Sequence, residues 1–213
     1  ADTTPHVALT FIEKYLGAKT HQQLLELTQD RRALVDSLKR TAVEASLFER
    51  SAMCMFRLAR AENESFANNA TGEFADLFSN GFGPLAPTKA TPKERLPILK
   101  EIAQSTDAID QSIAIQAFKA ALKTRRSRCV TCRDADLLHE DTQGGWIPIT
   151  YGELWDAYRA VWHLAMECLP TYSPENQREL AGTLESSAIA LVTFIGDGSE
   201  VVPWLKALRE SGL

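Results

Sequence analysis

The chain of 213 residues holds no apolar run long enough to span a bilayer. The best candidate, Ala188 to Ile195, falls well short of the roughly 18 residues required, so a protein without a membrane partner is expected. Cysteine is scarce, at four. That number excludes the dense disulfide framework of a small secreted scaffold. Cys54 and Cys168 fall on apolar helical faces, which suits reduced thiols in a cytoplasm. There is no cationic excess either: 23 Lys and Arg against 28 Asp and Glu leave a formal charge of −5, with no global attraction to nucleic acid or to an anionic membrane. No stretch alternates apolar and polar residues with a period of two between tight turns, which argues against a large sheet. No Walker-type phosphate loop is present, and no cofactor is implied. Residues Ala1 to Pro5 lack both an initiator Met and a basic-then-apolar leader, and read as the start of a piece cut from something longer.

What is present is helical periodicity. Thr4-Pro5 forms a start signal for a first helix ending near Gly17, and Leu24, Leu25 and Leu27 suggest a short second one. Asp30 precedes the stripe Leu34, Val35, Leu38 and Ala42. Phe48, Ala52, Met55 and Ala59 recur at i, i+4, i+7 and i+11, which predicts about four turns of amphipathic helix. From Ser65, the spacing of Phe66, Ala70, Phe74, Leu77 and Phe78 predicts a further helix stopping near Asn80-Gly81. Residues 81–92, with two Gly and three Pro, read as a loop. Thr91-Pro92-Lys93-Glu94 is a capping-box restart. The helices 93–105 and 108–123 that follow, the second capped by Asp107 with Ile109, Ile113 and Ala117 on its stripe, form an antiparallel hairpin. Periodicity vanishes over 127–149. It resumes at Thr150 with Leu154, Ala157, Tyr158, Val161, Leu164, Ala165 and Cys168. Ser173-Pro174-Glu175 starts the next helix, carrying Leu180, Leu184, Ala188 and Leu191, and a last one begins near Ser199.

Setting residues 51–57 over 113–119 aligns Ala52 with Ala114, Met53 with Ile115, Phe56 with Phe118 and Arg57 with Lys119, as a helical repeat would. Together with residues 58–64 and 68–72, Arg95-Leu96, Leu99, Trp146-Ile147-Pro148 and Glu153-Leu154-Trp155, these segments carry a resemblance to HEAT-like α-helical repeats. More loosely, the chain resembles the helical arrays of large bacterial multidomain proteins of the STAND type. The resemblance implies a single all-α domain over residues 1–213, built of stacked antiparallel helix pairs. It implies a role in binding other proteins, or other domains of a parent chain.

Several residue groups could carry chemistry. Cys129 and Cys132, two residues apart, with His139 seven residues further on, are the nearest approach to a zinc site, but a fourth ligand is missing, so no metal is expected. The run Lys123 to Arg133, with Arg125, Arg126 and Arg128, could meet phosphates; in an acidic chain it reads first as a solvated or salt-bridging surface, which disfavours nucleic acid. Glu62, Glu64, Glu73 and Asp76 surround Asn68-Asn69, whose amides are expected to bridge backbone groups at a helix turn, with Asn68 or Asn69 buried there. His163 and Glu167 stand i, i+4 as a surface pair. Trp146, Trp155, Trp162 and Trp204 read as packing groups. The favoured function is a non-catalytic protein-interaction or scaffolding module whose partner contacts lie in the long connections 81–92 and 127–149, through Phe82, Leu85, Trp146, Ile147, Arg125, Arg126 and Arg128. The alternatives are an enzyme with its site under the 127–149 loop and a nucleic-acid contact through 123–133.

Overall fold

A computed structural model describes residues 5–124, 145–195 and 198–210. Among the described residues the secondary structure is entirely helical. The helices are α1 (Pro5–Gly17), α2 (His21–Leu25), α3 (Arg31–Thr41), α4 (Phe48–Arg60), α5 (Ala70–Asp76), α6 (Pro92–Ala103), α7 (Ala108–Ala121), α8 (Tyr151–Cys168), α9 (Pro174–Ile195) and α10 (Val201–Glu210). No described helix is long and apolar enough to cross a membrane.

Three of the start signals, at Thr91, Asp107 and Thr150, act as the sequence predicts. Thr91 accepts from the Glu94 amide while the Glu94 carboxylate takes the Thr91 amide at 2.7 Å, so two of the amides that a helix start leaves unpaired are satisfied reciprocally. Thr150 accepts from Glu153 and Asp107 from Ile109. Asp30 occupies the cap position of α3 but makes no side-chain bond there. A second capping box, Thr20 with Gln23, opens the five-residue α2.

One predicted start is corrected. The helix expected from Ser65 begins at Ala70, because Asn69 caps it by accepting from the Gly72 amide at 2.8 Å, and Phe66 is left half exposed outside it. The periodicity of Phe66 with Ala70 was therefore accidental.

Packing runs from helix to helix along the chain. α1 lies on α3 and α4, and α3 on α4 and α5. α4 meets α5, α6 and α7; α5 meets α7; α6 meets α7 and α8. α7 also touches α8 and α9, and α9 carries α10. Because α7 is enclosed on several sides it buries Ile113, Ala114, Ile115, Ala117, Phe118 and Ala121 rather than a single stripe. Ile109, expected on that stripe, lies at the helix start and is half exposed.

Three arrangements hold the ends of this packing together. Phe48, Phe56, Phe74 and Phe78 form an aromatic cluster between α4 and α5, with the Phe74 and Phe78 rings 5.1 Å apart and the Phe74 and Phe56 rings 5.6 Å apart. At the other end, Trp204 of α10 stacks between Trp155 and Trp162 of α8 at 5.4 and 5.1 Å. Glu200 there accepts from the Trp155 indole and from the Arg159 guanidinium. The third is a segment without long helix, residues 82–90, which crosses the body between them.

Candidate functional site

The crossing segment contains Phe82 and Leu85, two of the four described residues that the sequence marked for partner contact, and lies against a third, Trp146. Its backbone is bonded to distant parts of the chain. The Gly83 amide donates to the Trp146 carbonyl at 2.9 Å and the Trp146 amide to Thr88 at 3.0 Å, while Lys89 and the Thr88 hydroxyl both donate to Val43. A polar backbone laid over an apolar body needs such partners, since an unpaired buried amide costs about as much as a lost hydrogen bond. Ala86, Thr88 and Ala90 are buried, Phe82 and Leu85 half buried, and Trp146 buried beneath the segment. Ile147 differs: it is 63% exposed, beside Ile149 at 92% and Tyr151 at 81%.

Gly145 explains how the two segments come so close. A Cβ there would lie 2.5 Å from the Ala86 Cβ and 2.8 Å from the Thr88 carbonyl oxygen. Gly145→Val is accordingly expected to lower stability by about 1–3 kcal/mol through overpacking. Urea titration would check this; an unchanged midpoint would mean that the crossing segment yields freely.

The carboxylate and amide cluster is committed to structure. Glu62 takes the amides of Asn63, Glu64 and Thr71, the Thr71 hydroxyl and the Arg31 guanidinium. It thus organises the turn from α4 to α5. Glu73 is buried and paired with Lys39 at 2.8 Å. Half-buried Asn69 bridges backbone as expected, accepting from Gly72 and donating to the Glu64 carbonyl. Asn68 is exposed, and Arg32 reaches its carbonyl, so neither amide is buried as one of the two was expected to be.

Two arginines escaped the sequence reading. Arg31 is fully buried and donates to the carbonyls of Leu24 and Leu58 and to Glu62. Arg95, 2% exposed, donates to Leu77 and Ser79 at the C-terminal end of α5, where carbonyls are left over and the helix dipole is negative. Arg95 makes no ion pair with a described residue, and burial pulls its pKa below the ordinary arginine value. A signal did exist: Arg31 stands in register with Val35, Leu38 and Ala42, and Arg95 with Leu99 and Ile102, each at i, i+4, i+7 on the apolar face.

His163 is exposed, its ring centre 5.9 Å from that of Trp204 in an edge-on arrangement, so it belongs to the α8–α10 contact. Cys129, Cys132, His139, Arg125, Arg126 and Arg128 lie outside the described residues. Among the described residues no group of three or more His, Cys, Asp or Glu is placed to hold a metal ion. Cys54 and Cys168 are buried free thiols, and burial pushes both up to about 11. At pH 8 only about one in a thousand would be thiolate. In a Cys129→Ser, Cys132→Ser background, the native protein is therefore expected to react with a disulfide reagent only as fast as it unfolds. Rapid labelling of either thiol would contradict this.

Three concave surfaces remain among the described residues. An open groove of about 840 Å³ lies along α1 and α4, against Leu16, Arg50, Met53 and Arg57. A second open groove, of about 820 Å³, crosses α5, α7 and α9, walled by polar groups such as Asn69, Gln116, Lys119, Lys123 and Ser187. A smaller apolar cavity of about 390 Å³ lies between the start of α6 and α8, against Leu96, Trp146 and Val161. Comparison with known protein families, with curated proteins and with solved structures finds no match for the chain.

Proposed function

We propose that the chain is a non-catalytic interaction module built as two rows of stacked antiparallel helix pairs, with a protein partner seated in the groove across its second row. The pattern of helix neighbours supports this reading. If α1, α4, α6 and α8 form one row and α3, α5, α7 and α9 the other, each helix meets its pair mate and the members of adjacent pairs. That nearest-neighbour pattern is the one expected of a quasi-one-dimensional array. α10 extends the first row through the tryptophan stack on α8. The groove then runs over three successive helices of one row, and its lining sets the exposed Lys119 and Lys123 against the single carboxylate Asp76, a positive balance that favours a segment carrying carboxylates. The buried thiols suit a reducing compartment, so we place the protein in the cytoplasm.

A photo-crosslinking residue introduced at Gln116 in the groove, and separately at Lys93 on the first row, tests the reading in extracts of the source organism. A discrete polypeptide adduct from position 116 alone, lost on Lys119→Glu, is the expected result. Adducts from both positions, or from neither, would overturn it.

A further inference from the structure

The sequence of α1 carries two apolar stripes where a helix at the surface needs one. Leu9 and Leu16 face inward and are buried, with Ile12 packed beside them. Val7, Phe11 and Tyr15, spaced i, i+4 and i+8, form the second stripe and face outward, 48%, 74% and 39% exposed. A single exposed phenylalanine is unremarkable, but three large apolar groups in line along one helix make a continuous strip, which marks an interaction surface.

The two ends of the first row differ. At the far end α10 turns Lys206, Arg209 and Glu210 to solvent beside Val202, a mixed face with one large apolar group, nearer the polar finish that the terminal member of a stack requires. α1 turns Phe11. Its outer face thus has the character of an internal member of the row, continuous with the packing that α1 already makes on α4.

The charge around the strip is of one sign. Lys14 and Lys19 border it, Lys19 lying over the Tyr15 ring at 4.5 Å. Glu13, the one carboxylate between residues 5 and 19, is held by the Arg50 guanidinium through bonds of 2.8 and 2.5 Å, which keeps its pKa below the ordinary glutamate value. We infer that the outer face of α1 is a docking surface for one further amphipathic helix, whose apolar stripe is bordered by carboxylates. A second copy fits less well. Two-fold pairing would set the lysines of both chains at one interface with no free carboxylate on α1 to meet them. The strip of one helix about 20 Å long also falls short of the roughly 800 Å² per partner of a stable dimer.

The inference rests on the row arrangement but not on the groove, so crosslinking at Gln116 can succeed or fail independently of it. Two fluorescein-labelled helical peptides of about five turns test it against the whole chain; they share a leucine stripe and differ only in having Glu or Lys along its borders. By anisotropy, the Glu peptide is expected to bind at least ten times more tightly than the Lys peptide. This preference would run against the chain's net charge of −5 and so could not come from bulk attraction. Phe11→Asp, at a site open enough to leave the melting temperature unchanged, should weaken binding at least tenfold, and Lys14→Glu should shift the preference toward the Lys peptide. Absence of binding, or equal binding of both peptides, would overturn the inference. So would a dimer in sedimentation that Phe11→Asp dissociates, or Phe11-dependent association with phosphatidylcholine/phosphatidylserine vesicles.

Discussion

Replacing Arg31 with methionine is expected to lower stability by about 3–5 kcal/mol, the range for breaking a buried ion pair from one side. The guanidinium is 0% exposed and joins three parts of the chain: the end of α2 through Leu24, the end of α4 through Leu58, and the turn before α5 through Glu62 at 3.2 Å. Methionine would fill most of the volume but donate nothing, leaving two carbonyls and a carboxylate without that partner. Urea unfolding measures the loss. Adding Glu62→Gln should return part of it, because the stranded charge is then gone, and the double-mutant cycle isolates the coupling. A loss under about 1 kcal/mol for the single variant would mean that water enters and replaces the guanidinium.

Phe74→Ala is expected to cost a similar amount, about 3–5 kcal/mol, by removing a fully buried ring and leaving a cavity. α5 has seven residues, too few to be helical on its own, so its place between α4 and α7 depends on the rings that Phe74 touches. For a chain of this size the melting temperature should fall by roughly 10 °C. Phe74→Leu separates volume from ring geometry: it should recover more than half of the loss. If leucine were no better than alanine, edge-to-face packing with Phe78 would be the larger contribution.

The helices were readable from spacing wherever a helix has one buried face. All seven residues of the stripe on α8, from Leu154 to Cys168, are buried, and the Thr91-Pro92 and Ser173-Pro174 signals fall at helix starts. Periodicity failed where burial is not one-sided. α7 is enclosed by several neighbours, so a stripe through Ile109 describes only part of it. It failed again at Phe66, where a side-chain cap four residues into the predicted helix decided the boundary.

The candidate site was less legible. Gly and Pro marked 81–92 as non-helical, but no local pattern tells that this segment lies against Trp146 and Val43, since those bonds join residues 45 to 63 positions apart. Of the marked contact residues that are described, only Ile147 stands well clear of the body, whereas Phe82, Leu85 and Trp146 are partly or wholly packed into it. The groove combines polar residues from three helices and has no signature in any one of them. The outward strip on α1 was present in the sequence as Val7, Phe11 and Tyr15, but a second apolar stripe on a helix cannot be told from a core face until its neighbours are known.

The crossing segment also sets the order in which the chain can fold. Helices joined by short connections, such as α6 and α7, can pair early, at little loop-closure entropy. The bonds from Lys89 to Val43, and from Gly83 and Thr88 to Trp146, close much longer loops. Docking of residues 82–90 is thus expected to be a late step of assembly. The helical signal in the far ultraviolet should be complete while the Trp146 environment is still changing, and the slower phase should follow mutations at Gly145 and Thr88 rather than those within the helices.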